Sequence, residues 1–218
     1  MSEKTLKEIF SIRDLDDKPK SLAHKAVREA RLARLREPHI SKLTDFVELI
    51  RRETGRGHLI PYFDPADGGT EGQCLFIFEA PGPKAVESGF ISRNNPDETA
   101  KNFFLLSKEA NLRRELTVSW NIVPWYIGSG TKLRHPTNEE IQHGIRYLNL
   151  LIPLFYNLRI MVFSGRRAQH ALQFLNQNWP FEIMKIFHPS PLFVNNAPGN
   201  RNIILGDLLR ISSKLAGS

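Results

Sequence analysis

One stretch decides the fold of this chain: Cys74-Leu-Phe-Ile-Phe-Glu-Ala-Pro-Gly-Pro83. It is an apolar run of strand length that ends in a carboxylate, Glu79, and is followed at once by Pro-Gly-Pro. Those three residues predict a stiff loop that continues neither as a strand nor as a helix. Because ligands of open α/β sheets bind beyond the carboxyl ends of strands, we expect a functional site beside Glu79.

Length and composition narrow the class of protein. The 218 residues suffice for one domain with a real core, and a net charge of +7 favours a polyanionic partner. The single cysteine, Cys74, excludes a disulfide framework and a cysteine-ligated zinc or iron–sulfur site. No apolar run approaches the roughly 18 residues of a membrane span. We therefore expect a soluble, cytoplasmic protein with no membrane partner.

Apolar runs alternate with helical patterns along the rest of the chain. Strands are predicted over 74–79, 117–123, 159–165 and 182–188. Helices are predicted over 21–38, 41–51, 97–112, 138–151, 166–176 and 201–215. The helix at 138 has a capping box made by Thr137 and Glu140, whereas 58–69 and 86–95 are predicted as loops. This alternation predicts an α/β layer fold with a mainly parallel sheet.

Three of the predicted strands end near a proline with a polar residue. These residues are Glu79, Asn121 and His188. Because the carboxyl ends of parallel strands lie at one edge of a sheet, we expect the three side chains to converge on one cleft. A carboxylate, an amide and an imidazole can each also cap a strand end or a turn without any function.

The N-terminal part of the chain is basic. The predicted helix from Ser21 to Pro38 carries five cations against two acids, Glu29 and Glu37. The cations are Lys25, Arg28, Arg31, Arg34 and Arg36. They form either a solvated helix face or a face that contacts phosphates. The predicted loop 58–69 contains Asp64 and Asp67, which either cap turns or serve a functional site.

Two short motifs resemble the signatures of a known family. Phe78-Glu-Ala-Pro-Gly82 and His188-Pro-Ser-Pro-Leu192 are similar to the two signature motifs of the uracil-DNA glycosylase superfamily. The segments 120–124, 136–141 and 159–165 follow in the order seen in bacterial branches. The resemblance implies a three-layer α/β fold with a short parallel four-stranded sheet flanked by helices. It places this domain at 59–218, behind a helical extension, 1–58, that packs on it.

The chain departs from the family pattern at two motif positions and in its number of cysteines. The best-studied branch has an aspartate where this chain has Ala80, and a tyrosine that excludes the thymine methyl group where it has Gly82. The Glu-Ala-Pro-Gly pattern is closer to a branch that carries an iron–sulfur cluster on four cysteines, and this chain has one cysteine. A cluster-free relative with an open base pocket is the expectation.

The resemblance implies an activity and a role for each matching residue. It implies a monofunctional glycosylase that flips uracil, or another deaminated base, out of DNA and hydrolyses its glycosidic bond. Glu79 would position or deprotonate the water, and His188 would hydrogen-bond the leaving base. Base-binding residues would be Ala80, Pro81, Gly82, Phe90 as the stacking ring, and Asn121; DNA-binding residues would be Gly165, Ser190, Pro191 and the wedge Leu192.

The same resemblance implies that the protein acts as a monomer on DNA, without a metal or an organic cofactor, and in a bacterium is nucleoid-associated. An alternative from the binding class stays open. Because Ala80 replaces the familiar aspartate, the chain could be a weakly active or inactive protein of the same fold that binds damaged or single-stranded DNA. An unrelated nucleotide-binding fold is disfavoured, since the chain has no Gly-x-Gly-x-x-Gly or Walker lysine loop.

Overall fold

A computed structural model describes residues 17–129, 134–175 and 179–217. The strands are β1 (Tyr62–Phe63), β2 (Cys74–Phe78), β3 (Phe90–Ile91), β4 (Thr117–Asn121), β5 (Ile160–Ser164) and β6 (Glu182–Ile186). The helices are α1 (Lys25–Leu32), α2 (Pro38–Thr54), α3 (Pro83–Ser88), α4 (Glu98–Glu109), α5 (Asn138–Leu151), α6 (Arg166–His170), α7 (Pro191–Val194) and α8 (Asn200–Ala216). None of these helices combines the length and apolarity that crossing a bilayer requires.

The centre of the fold is a sheet of four parallel strands in the order β4-β2-β5-β6. Phe78 at the end of β2 is level with Asn121 at the end of β4, so Glu79 leaves the sheet directly beside Asn121. The prediction of a short parallel four-stranded sheet flanked by helices is confirmed. All four strands point their carboxyl ends to the same edge, which is where ligands bind in such sheets.

The two faces of the sheet are covered by different helices. Successive side chains of a strand point to opposite faces, so the strands divide their residues between two cores. Leu75 and Ile77 pack on one side with the apolar faces of α2 and α5. Cys74 and Phe76 pack on the other side with α4 and α8. The result is the three-layer arrangement that the family resemblance implies.

Two short elements lie where loops were predicted. Pro83 occupies the first turn of α3 with Gly82 at its N-cap position, so the Pro-Gly-Pro stretch ends the strand but also begins a helix. Proline suits this position because its fixed φ is helical and its missing N–H would have no partner there. After α3, β3 pairs in parallel with β1 to form a small second sheet. The prediction of loops over 58–69 and 86–95 was wrong at these positions.

Helix boundaries follow the local capping signals. Asp97 accepts a hydrogen bond from the backbone N–H of Ala100 and caps α4, and Thr137 and Glu140 form the predicted capping box of α5. The predicted helix 21–38 is a 3₁₀ turn followed by the shorter α1. The predicted helix 166–176 is α6 and a 3₁₀ turn ending at Phe174; its last predicted residue lies outside the described part.

Most cations of the N-terminal segment pair with acids or backbone oxygens of the protein itself. Arg28 donates to the backbone oxygens of Leu22 and Ala23, and Arg31 pairs with the buried Asp64. Arg34 pairs with Glu37, Arg36 with Asp45, and Lys25 with Glu29. These contacts favour a structural role for the basic residues over a phosphate-binding face. Helix α2 also places Ile40, Leu43 and Phe46 in the main core; residues 1–16 lie outside the described part.

Candidate active site

A cavity of about 340 Å³ opens at the carboxyl ends of β2 and β4. Its walls come from the segment after β2, the segment between β3 and α4, helix α4 itself and the segment after β6. Glu79, Asn121 and His188 all line it. The structure thus brings together the three strand-end residues that the sequence singles out.

Glu79 leaves β2 into the wall of the cavity. Its backbone oxygen accepts a hydrogen bond from Val123, 3.0 Å away, which fixes the strand end against the segment after β4. Its side chain is 20% exposed, and Oε1 lies 2.9 Å from Nδ1 of His135. His135 stands two residues before the N-cap of α5 and is itself largely exposed. One carboxylate oxygen is therefore held by the imidazole.

His188 follows β6 and packs tightly from both sides. The ring of Phe78 meets its imidazole edge-on, with the centroids 5.8 Å apart. On the other side is Gly165, where an added Cβ would lie 2.9 Å from Cβ of His188 and the φ angle is +87°. Any larger residue would therefore displace the histidine. The next residue is held by α4, since Asn102 Nδ2 donates to the Pro189 oxygen at 3.0 Å.

The imidazole of His188 is kept neutral by its surroundings. Burial lowers its pKa to about 4, because a charged ring would lose its hydration there. No described residue forms a hydrogen bond with the ring. Near neutral pH the site therefore presents a neutral imidazole with one N–H and one lone pair available to a ligand.

Asn121 lines the cavity from the end of β4 and is 4% exposed. Its side-chain amide has no hydrogen-bonding partner among the described residues. The amide therefore offers both a donor and an acceptor to the cavity. Ala80, Pro81 and Gly82 complete this wall, and a Cβ added at Gly82 would meet no atom within 4 Å. The wall is open at the position of Gly82.

Comparison with known proteins places this arrangement in a family. A family model described as the uracil DNA glycosylase superfamily matches residues 65–208. The chain belongs to this superfamily. Among solved structures, wild-type SMUG2 of Pedobacter heparinus aligns with a TM-score of 0.54 and 11% identity over 82% of this chain and 85% of that chain, which shows a shared fold. No curated protein sequence matches the chain.

One residue expected in the base pocket of this superfamily member lies elsewhere. Phe90 is completely buried in a small cluster with Leu22 and Val27, and it does not line the cavity. As the first residue of β3, it faces the N-terminal segment. The rings that line the cavity are Phe78 and Phe103, which meet edge-on at 5.5 Å. Phe103 shows only helical periodicity in the sequence, and that pattern is typical of a core residue.

The segment proposed to contact DNA surrounds the histidine. Ser190 precedes the short helix α7, whose first residue is Pro191, and Leu192 is 89% exposed. The rings of Phe187 and Phe193 stack at 4.3 Å and brace this segment. Gly165 differs from these residues, because it lies against the side chain of His188.

The cavity also contains residues that the sequence did not single out. Ser92, Arg93 and Asn95 line it from the segment between β3 and α4, which was predicted as a loop. The polar run 92–95 after the apolar pair of β3 is the signal that could have found them. His135 had no signal, because its partner Glu79 is distant in sequence.

The loop acids lie behind the cavity and do not line it. Asp64 is fully buried, pairs with Arg31 and Arg114, and accepts a hydrogen bond from Ser92. The two arginines hold its pKa well below the usual range although burial alone would raise it. Asp67 is paired with Arg114 at 2.8 Å. Among the residues described, no three His, Cys, Asp or Glu side chains form a group that could hold a metal ion.

Proposed function

We propose that this member of the superfamily is a monofunctional DNA glycosylase that hydrolyses the N-glycosidic bond of uracil in DNA. The observation that carries the proposal is the convergence of a carboxylate, an amide and a neutral imidazole on one cavity. A base inside the duplex is out of reach of such a cavity, so the nucleotide must be flipped into it. Other deaminated bases are further candidate substrates, since Gly82 leaves the wall open.

His188 is proposed to stabilise the departing base. Breaking the glycosidic bond leaves negative charge on the base, which a positioned N–H donor stabilises most strongly in a site with little water. A neutral imidazole can donate to O2 of uracil without first losing a proton. The rigid environment of Phe78 and Gly165 supports this role, because the donor needs little reorganisation during the reaction.

Glu79 is proposed to act on the sugar side of the same bond. Its carboxylate would orient the attacking water and stabilise the positive charge that develops at C1′. The hydrogen bond between Oε1 and His135 leaves the second oxygen for water. Asp64 and Asp67 are buried and paired with arginines, and Asp97 in the cavity wall caps α4, which supports assigning this task to Glu79.

Asn121 is proposed to read the base. Its amide can donate to O4 and accept from N3–H of uracil. A base in the cavity would supply two hydrogen bonds that no described residue makes to this amide. Ala80, Pro81 and Gly82 would form the wall against the ring.

Contacts with DNA are proposed for the segment after His188. Leu192 projects almost fully into solvent and could fill the space left by the flipped base, as apolar side chains do in other deformed duplexes. Ser190, Pro191 and Gly165 would lie near the backbone of the strand. The net charge of +7 supports association with DNA.

The monofunctional assignment concerns the fate of the sugar. A lyase needs a neutral amine to form an imine with C1′. Lys84 is the only lysine among the described residues that line the cavity, and its ammonium pairs with Glu87 at 2.7 Å along α3. We therefore propose hydrolysis by water and no strand cleavage by the enzyme itself.

The test is a strand-cleavage assay on an oligonucleotide with a single uracil. Treatment with the protein should give a break only after alkali, on a single- or double-stranded substrate. His188→Ala should lower the rate by about 10²- to 10³-fold, the usual effect of removing one such donor. His170→Ala is the matched control, since this exposed histidine contacts Asn138 and does not line the cavity.

The absence of any alkali-dependent break with both substrates would contradict the proposal. The second candidate function, a binding protein without turnover, is favoured by one observation, Ala80 in place of the familiar aspartate. It predicts salt-sensitive binding to uracil-containing strands with no release of free base, so the same preparation and a binding measurement distinguish the two functions.

A further inference from the structure

Arg93 is a buried arginine in the wall of the cavity. It lies between β3 and α4 and is 5% exposed. Its Nη2 donates to Oγ1 of Thr117 at 2.5 Å, and its guanidinium lies 5.2 Å from the centroid of the Phe103 ring. These contacts fix the position of the side chain but contribute no negative charge.

A neighbouring cluster of buried charges leaves Arg93 without a carboxylate. Arg31 pairs with Asp64, and Arg114 pairs with both Asp64 and Asp67 at 2.8 Å. Among the described residues, no carboxylate lies within ion-pair distance of Arg93, although the field of Asp67 reaches it. Its Nε is also buried with no hydrogen-bonding partner. Arg114 also pairs with the exposed Asp17, so the described acids contact Arg31 and Arg114 and not Arg93.

A buried guanidinium in this state is unfavourable by itself. Taking a cation out of water is compensated only when an opposite charge or a full set of hydrogen-bond acceptors replaces the water. The Nη1 group has no hydrogen bond to a described residue, and it is not among the atoms sealed from solvent. Because Arg93 lines the cavity, the N–H groups of Nη1 are available to a ligand there, whereas Nε is sealed from it.

The position of Arg93 selects which part of a ligand it could contact. Thr117, Ser119 and Asn121 alternate along β4 and share one face of the sheet. Arg93 is bonded to Thr117 at the start of the strand, whereas Asn121 stands at its carboxyl end near the mouth. If Asn121 binds a base, the edge of that base opposite the sugar would therefore face Arg93. DNA phosphates would stay outside, at the segment after His188.

We infer that Arg93 forms an anion subsite at the inner end of the base pocket, suited to a pyrimidine that carries an acidic substituent. A carboxylate accepts charge-assisted hydrogen bonds from a guanidinium, and the open Nη1 group of Arg93 has the donors for such a contact. The inference rests on the proposed function, because it takes the cavity to be a base pocket.

The experiment compares two free bases by isothermal titration calorimetry. Wild-type protein should bind 5-carboxyuracil at least about tenfold more tightly than uracil, the difference expected for one added charge-assisted contact. Arg93→Met should abolish this preference while uracil binding changes less than about twofold. Arg93→Lys, which keeps the charge, should restore part of it. Arg113→Met is the matched control, since this exposed arginine pairs with Glu115 away from the cavity.

Thermal unfolding provides a second measurement. Arg93→Met removes an unpaired buried charge, so its Tm should equal that of the wild type or exceed it by a few degrees. A large fall in Tm would show that Arg93 is satisfied within the folded protein and would overturn the inference.

Three binding results would also overturn it: equal affinity of the wild type for the two bases, a preference that survives Arg93→Met, or displacement of 5-carboxyuracil by equimolar inorganic phosphate. The last result would assign Arg93 to a phosphate. A protein that releases uracil from DNA but shows no preference overturns only this inference, whereas one that neither binds nor releases uracil overturns the proposed function as well.

Discussion

Glu79 in the wall of the cavity and Asp64 behind it differ in how many partners they have. Glu79 is partly exposed, and among the described residues its side chain has one hydrogen-bonding partner, His135. Asp64 is fully buried and is held by Arg31, Arg114, Ser92 and the backbone N–H of Ala66. The lone pairs of Asp64 are occupied by the protein, so its charge stabilises the fold. Glu79 keeps an oxygen free, so it can act on water.

The comparison shows that residue type does not decide the role of an acid. Both are carboxylates after a short apolar run, near a proline. The number of fixed cations around each carboxylate decides whether its charge stabilises the fold or stays available for chemistry.

The largest effect is expected for Asp64→Asn, measured as the free energy of unfolding in urea. Removing this charge leaves Arg31 and Arg114 buried with fewer counter-charges, and such a change typically costs about 3–5 kcal/mol. Asp45→Asn is the control, because its pair with Arg36 is exposed and should be worth less than about 1 kcal/mol. Similar losses in both variants would contradict the structural role of Asp64.

Glu79→Gln should produce the opposite pattern. The rate of uracil release in single-turnover assays should fall by about 10²- to 10⁴-fold, since the amide cannot accept a proton or stabilise the sugar cation. Its free energy of unfolding should stay within about 0.5 kcal/mol of the wild type. The assignment fails if this variant unfolds as readily as Asp64→Asn, or if it releases uracil at the normal rate.

His188 should make stability depend on pH. Its pKa is lowered from 6.5 to about 4, so below pH 6.5 the unfolded chain binds a proton that the folded protein does not. Stability is therefore complete above about pH 6.5 and is lost as the pH falls towards 4, by roughly 3 kcal/mol in total. In His188→Gln this part of the pH dependence should vanish, as urea unfolding at pH 4.5 and 7.5 would reveal. Parallel curves for the two proteins would show that the histidine is not held neutral.

The smallest effect is expected for His135→Ala. Without this hydrogen bond the partly exposed carboxylate is less well oriented, so uracil release should slow by about three- to tenfold, while the free energy of unfolding should fall by no more than about 1 kcal/mol. His135→Gln should recover part of the rate, because its amide can donate to Glu79. A loss as large as that of Glu79→Gln would instead mean that His135 contacts the reacting groups.

Local signals in the sequence predicted the regular parts of the fold. The strand ending at Glu79 follows from its apolar run, and the start of α5 from Thr137 and Glu140, because these features depend on neighbours within a few residues. The pair β1 and β3 could not be predicted, since each strand has two residues and no periodicity of its own. Helix α3 was missed because Pro-Gly-Pro ends a strand and begins a helix equally well.

The site was predictable only where it coincides with strand ends. Glu79, Asn121 and His188 could be named because parallel strands deliver their last residues to one edge. The sequence predicted Phe90 in the site because of its distance from Glu79 along the chain. In the structure, Phe90 packs against Leu22 in the core. Arg93 was missed although the polar run 92–95 marks its segment, and His135 was missed because its partner Glu79 is distant in sequence.

By itself, the sequence determined the α/β layer order, the edge at which the site lies and the residues that stand at three strand ends. Only the tertiary structure decided what those residues can do. It buried His188 and so keeps it neutral, surrounded Asp64 with arginines, and left Glu79 and Arg93 with unfilled hydrogen-bonding capacity. Burial and charge pairing depend on residues far apart in the chain, so no local pattern specifies them.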